Sequence, residues 1–272
     1  MTDAGQPYEV ITIESWEQFD REVSSLPYRE WVFRGHSDAR WELKTSLYRL
    51  FEDADRIIEL HKGSGRKFAK DEHEKLLIAR FKSNAHLYLR ALPKEDQDLE
   101  WLAIMQHFGA PTRLLDATLS PLIASYFAIE TGHRDCCVFA FNQSNLRDVD
   151  SVVFEKEKLK DVLFENRTQR DSFIVAHLPV MSNERLEAQQ GLFLIPSTNY
   201  MTFEQLLEYY DLGGRACKKF LVPARLRYEG VERLRRMNIT TSSLFPGLDG
   251  FCRSLRSQVL EPVKRQKLLG GE

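Results

Sequence analysis

Three stretches of the chain concentrate side chains able to do chemistry. In the first, WVFRGH over residues 31–36, a β-branched and aromatic run carries Arg34 into Gly35. An anion can reach a guanidinium at a strand end, and Arg holds phosphate or carboxylate through paired N–H donors. A glycine beside it lets a ligand approach the backbone. The plainer alternative is a strand-end Arg in an ordinary ion pair.

The second stretch is QHFGAPTRLLD over residues 106–116, continued by ATLSPLIASYFA to residue 128. It sets polar groups in a turn-rich segment between two apolar helices. Arg113 and Asp116 are spaced to pair, and Ser120 before Pro121 is a strong helix start. Such a segment either lines a pocket or forms a capping network between helices. The third stretch, NERLEAQQGLFLI over residues 183–195, places two glutamines before a glycine and a buried-looking strand. Their amides either satisfy backbone at the strand start or bind a polar ligand. There is no GxSxG, P-loop or GxGxxG motif. His73-Glu74 begins like a zincin helix, but Leu77 stands where the second His is needed, so no metal is expected.

Composition bounds these readings. The 272 residues suit one large or two small domains, and 43% hydrophobic with 29% charged residues excludes collagen-like or wholly disordered chains. A net charge of -2 disfavours a generally basic nucleic-acid binder. Locally, residues 224–272 hold ten basic against five acidic side chains, either a solvated helix face or a phosphate-facing patch. The longest apolar run, Cys136–Phe141, is six residues, far short of a membrane span, and the N-terminus lacks a secretory pattern. Four cysteines without a C-x-x-C fit reduced, mostly buried thiols, so a soluble, cytoplasmic protein with no membrane contact is expected.

The positioning elements follow from spacing. Residues 8–13 and 31–33 read as strands, with a short helix opened between them by Ser15 and Gln18. Residues 36–50 read as loop and turn, and the charge-rich 52–75 as a mobile excursion. Helices are expected over 69–92, 96–108 and 122–128, and a strand over 138–141. Further on come strands at 172–178 and 192–195, a helix from the Thr202/Gln205 capping box to about Tyr210, and a loop at Gly213–Gly214. A strand at 219–222 precedes helices at 224–237 and 248–259. With helices early and strands late, the expected fold class is α+β, one domain with a helical insertion.

Together and in this order, the three stretches resemble the FRG domain family, named for a Phe/Tyr-Arg-Gly motif, here Phe33-Arg34-Gly35. Arg185, Gln189, Gly191 and Phe193 match its Arg-x-x-x-Gln-x-Gly-x-Phe element, and SLFPGLDGFCRSL (243–255) is similar to its C-terminal element. Ala117 and Gly247 depart from the usual pattern, where an aromatic and an Asp are common. The resemblance implies an FRG domain over 8–258, with the helical insertion at about 52–108 and a flexible tail at 259–272.

Phe-Arg-Gly at the end of an early strand also resembles the first strand of ADP-ribosyltransferases, and Tyr126-Phe127-Ala128 is similar to a core segment of that fold. This implies a small mixed or antiparallel sheet and an NAD-consuming enzyme, a transferase or NAD glycohydrolase, acting as a toxin or phage-defence effector. Arg34 would hold pyrophosphate or ribose and Gly35 the nicotinamide amide, with Phe33, His107, Arg113, Asp116, Ser120 and Tyr126 binding NAD alongside. Catalysis would fall to Arg34 with Gln189 or Glu187, the latter two on one face if 187–191 is extended. The implied partners are a nucleotide and a nucleic-acid or protein acceptor. Two other classes stay open: a non-catalytic ligand-binding or protein-interaction module, and a nucleic-acid-acting protein. The first predicts binding without turnover.

Overall fold

A computed structural model describes residues 7–62, 69–150, 173–181, 183–210 and 215–258. The tail at 259–272 and Gly213–Gly214 lie outside them. The first elements are β1 (Glu9–Thr12), α1 (Trp16–Ser24), β2 (Trp31–His36), α2 (Ser46–Lys62), α3 (Lys70–Ala85) and α4 (Asp98–His107). They are followed by β3 (Leu115–Thr118), α5 (Pro121–Ile129), β4 (Cys136–Asn142) and α6 (Gln143–Asp150). After them come β5 (Ile174–His177), α7 (Glu184–Ala188), β6 (Gly191–Pro196), α8 (Phe203–Glu208) and β7 (Cys217–Val222). A 3₁₀ turn (Ala224–Leu226) leads into α9 (Arg227–Arg236), α10 (Thr241–Leu244) and α11 (Leu248–Gln258).

The strands form one seven-stranded sheet in the order β1-β7-β4-β2-β3-β6-β5, antiparallel except for β1 with β7. The fold is thus a single α+β domain. In its interior β4 is buried on both faces, which fits the unbroken apolar run Cys136–Phe141. Cys137, Phe139 and Phe141 pack into one cluster with Ile78, Leu102 and Phe203 from α3, α4 and α8. Cys136, Val138 and Ala140 pack into another, with Trp16, Phe19 and Ile123 from α1 and α5. Helices therefore cover both sides of the sheet.

Several expectations need correction. Residues 36–50 are not all loop: α2 begins at Ser46, where Thr45 Oγ1 accepts from the Tyr48 N–H at 3.1 Å. Helix continues through most of 52–75, the described part of which is α2 and the start of α3. The helix expected to reach residue 92 ends at Ala85, because Leu87 and Tyr88 are 63% and 82% exposed and offer no buried face to extend it. The polar central stretch contains β3. The basic helix at 224–237 opens with the 3₁₀ turn. Strands are spread along the chain rather than gathered late, with β1 to β4 all before residue 143. Cys136, Cys137 and Cys217 are buried thiols, and Cys252 is exposed.

Candidate functional site

The ladders of β2 set the site. Toward β4 it pairs from Trp31↔Asn142 through His36↔Cys137. Toward β3 it pairs at Phe33↔Thr118 alone, while β3 stays fully paired to β6. Past that rung β2 and β3 part, and Arg34 stands at the opening. Its Nη1 donates to the Asp116 backbone carbonyl at 2.6 Å, reaching across the gap. Its Nε donates to His36 Nε2 at 3.1 Å. An acceptor Nε2 means a neutral His36 with its proton on Nδ1. Burial, and then Arg34 itself, push the His36 pKa down to about 3. The remaining Nη1–H and both Nη2–H groups of Arg34 have no partner among the described residues.

The Asp116 carboxylate lies 3.9 Å from Arg34 Nη1 and accepts from Gln106 Nε2 at 3.0 Å. Burial lowers the Arg34 pKa, Asp116 raises it, and Arg49 lowers it again. Two cations thus sit near one another around a single close acid.

This opening is the wall of a cavity of about 680 Å³. Phe33, Trp41 and Phe127 give it aromatic surface, and Arg34, Lys44, Arg49 and Arg185 give it positive charge. Lys44 is neutralised by Glu42 and Glu52. The Arg49 guanidinium makes one hydrogen bond, to the Lys44 carbonyl at 2.7 Å, and the Arg185 guanidinium lies over the Phe245 ring. The cavity thus offers donors for an anion beside flat apolar surface for a ring.

Phe33, Arg34, Gly35, Asp116 and Gln189 all line this cavity, although some 80 and 70 residues of chain separate their motifs. Gly35 is further constrained from behind, since a Cβ there would lie 2.0 Å from the Ala124 carbonyl oxygen of α5. Gln189 is not on an extended strand. Asn183 caps α7 by accepting from the Leu186 N–H, the helix runs to Ala188, and Gln190 turns the chain at φ 44. Gln189 Nε2 donates to the Leu244 carbonyl at 3.0 Å. Glu187 is exposed on that helix and does not share a face with Gln189 in the cavity wall.

Arg113 is the largest departure. It is fully buried and pairs with Glu74, its Nε donating at 2.6 Å, rather than with Asp116. Asn199 Nδ2 donates to the same carboxylate at 2.7 Å. The side chain belongs to the core and not to the cavity. Ser120 is spent capping α5, where it accepts from the Ile123 N–H. The Tyr126 hydroxyl bonds Thr241 Oγ1 at 2.7 Å in a buried position. His107 lies outside this cavity, in a smaller neighbouring one.

Sequence reasoning missed His36, Trp41, Lys44 and Arg49. The period of two along β2 puts His36 on the face of Arg34, a signal that was present. Trp41, Lys44 and Arg49 come from the segment around the start of α2, read as loop. Among the described residues no three His, Cys, Asp or Glu side chains gather to hold a metal. None of the described helices is long and apolar enough to cross a membrane.

Against known proteins, residues 29–136 match the model of the FRG domain. That span contains β2 and the central motif; the 183–195 and 243–255 segments lie beyond it. No curated protein matches the chain, and no solved structure does.

Proposed function

Because the chain carries an FRG domain over residues 29–136, we propose that this domain binds a phosphate-bearing nucleotide in the cavity around Arg34, with NAD as substrate. The observation that carries the reading is Arg34 itself. It is held by His36 and the Asp116 carbonyl, with donors left over at a cavity wall beside Arg49. A guanidinium locked in place loses little freedom on binding an anion. Trp41 and Phe127 offer stacking surface to a base or ring.

The reaction is cleavage of the nicotinamide–ribose bond. The C1′–N bond breaks and its electron pair leaves on nicotinamide. Water or another nucleophile adds to C1′ and releases a proton, giving ADP-ribose or its adduct. Asp116 is the carboxylate closest to Arg34 and the group to face the cationic ribose. A second reading, binding without turnover, draws on Gln189. It is a neutral amide tied to Leu244, Glu187 lies elsewhere, and the Asp116 side chain is 61% exposed, where water weakens its field.

Calorimetric titration with NAD, with nicotinamide quantified in the same sample, separates the two. Binding and nicotinamide release, both lost in Arg34→Ala and release alone lost in Asp116→Asn, support the enzyme. Binding without release supports the module. Neither, in folded protein, refutes the nucleotide site.

A further inference from the structure

Beside the first cavity lies a second of about 250 Å³, and the two share Asp116, Arg185 and Gln189 in their walls. The remaining wall is mostly apolar, with Leu186 and Phe193 inside and Met181 and Phe108 at the mouth, 39% and 64% exposed. His107, at the end of α4, is the titratable side chain that this chamber does not share. Its imidazole makes no hydrogen bond among the described residues and meets the Phe108 ring edge-on, with centroids 4.8 Å apart. Burial, and then Arg185, hold its pKa below the ordinary histidine value, so it is a neutral proton acceptor near pH 7.

Resting on the NAD reading of the first cavity, we propose that the second chamber is the acceptor subsite, that it takes a tyrosine-type phenol, and that His107 receives the phenol's proton. Position argues for this first. Asp116 faces both chambers, so a ribose C1′ set against it is open to attack from the second. Charge argues next. The ionic groups on the shared wall are one acid and one base, so an ammonium, guanidinium or carboxylate entering the chamber exchanges water for apolar walls with little return. A neutral acceptor avoids that cost. Size narrows it further, because a Ser, Thr or Cys side chain leaves most of 250 Å³ unfilled. A phenol ring covers the apolar walls and meets the Phe108 and Phe193 rings. Leu178 and Val180, the sequence neighbours of Pro179 in the wall, are 64% and 85% exposed, apolar surface suited to a protein segment.

The step balances. The phenol O–H gives its proton to His107 while its oxygen forms a bond to C1′. The C1′–N bond breaks with its electron pair on nicotinamide. The products are the ADP-ribosylated phenol, nicotinamide and a proton that His107 returns to solvent.

The test uses N-acetyltyrosinamide as the probe. By saturation-transfer NMR it binds the wild-type protein without NAD, and Met181→Trp, which sets a bulky ring at the mouth of the chamber, weakens that binding by about tenfold or more. Phe108→Ala at the exposed mouth serves if the tryptophan variant does not fold. Absence of probe binding overturns the subsite whatever NAD does. With NAD added, mass spectrometry finds the ADP-ribosylated probe. General-base assistance is worth about 10²–10⁴, so His107→Gln lowers the ratio of adduct to free nicotinamide by at least about tenfold. An unchanged ratio removes His107 from the step. An adduct on a single-stranded oligonucleotide and not on the probe overturns the acceptor class. Absence of NAD cleavage refutes the reading of the first cavity and with it the acceptor role, while probe binding still decides whether the chamber is a site.

Discussion

Substituting Gly35 by alanine tests what the glycine of the Phe-Arg-Gly motif is for. The new Cβ would stand 2.0 Å from the Ala124 carbonyl oxygen and 2.7 Å from the Ala128 nitrogen. Both are backbone atoms of α5, so no rotamer change relieves the clash; the helix must move off β2. That move disturbs the cluster in which Ile123, Ala124 and Ala128 pack on Phe33 and Val138. Overpacking costs typically 1–3 kcal/mol, and a backbone obstacle places this case near the top, about 3 kcal/mol. For a chain of this size each kcal/mol shifts Tm by roughly 2–4 °C, so Tm should fall by about 6–12 °C. Circular-dichroism melts and urea titrations measure it. Gly109→Ala is the contrast, because Gly109 needs its φ of +81 but has open space around it. Its cost is backbone strain of about 1 kcal/mol. A Gly35→Ala protein melting within about 1 °C of wild type would refute the packing argument. The glycine would then be required by a ligand and not by the helix.

Three further outcomes follow from buried polar groups. Glu74→Gln leaves Arg113 charged in the core and should cost about 3–5 kcal/mol, read by urea unfolding, whereas a loss below about 1 kcal/mol would show the pair to be dispensable. His36 is neutral when folded and binds a proton more readily when unfolded, so its contribution to stability is intact above pH 6.5 and is lost as pH falls toward about 3. His36→Gln should therefore flatten the acid side of the stability profile between those values, and an unaltered slope in urea titrations at stepped pH would contradict it. Arg34→Lys cannot reach His36 and the Asp116 carbonyl together, so it should lose NAD affinity nearly as fully as Arg34→Ala with little change in Tm. Wild-type affinity by calorimetry would show that charge alone suffices.

Local signals were legible and distant ones were not. Ser15, Ser120 and Thr202 announce their helices because a cap is decided within about four residues, and each accepts the expected backbone N–H. β2 and β4 are read from short apolar runs. Arg113 was misplaced because its partner Glu74 is 39 residues away and no spacing rule spans α4. Asp116, three residues on, looked the natural mate but lies across the gap from Arg34. Gln189 reads as the approach to a strand, because the amides run straight into GLFLI; the helical turn of α7 before it depends on the Asn183 cap. Gathering Arg34, Asp116 and Gln189 at one cavity needed the sheet order β2-β3-β6, which no local pattern encodes.

The lone rung between β2 and β3 has a mechanical meaning. Backbone hydrogen bonds make β1-β7-β4-β2 one stiff panel and β3-β6-β5 another. The Phe33↔Thr118 rung and the bond from the Arg34 side chain to the Asp116 carbonyl link the two panels across the seam. Shear between panels is therefore the softest distortion of the sheet, and the amides along the seam should exchange faster than those inside either panel. A molecule that grips Arg34 on one side and Asp116 on the other would brace the seam, so its arrival would register as stiffening along a line running the length of the sheet.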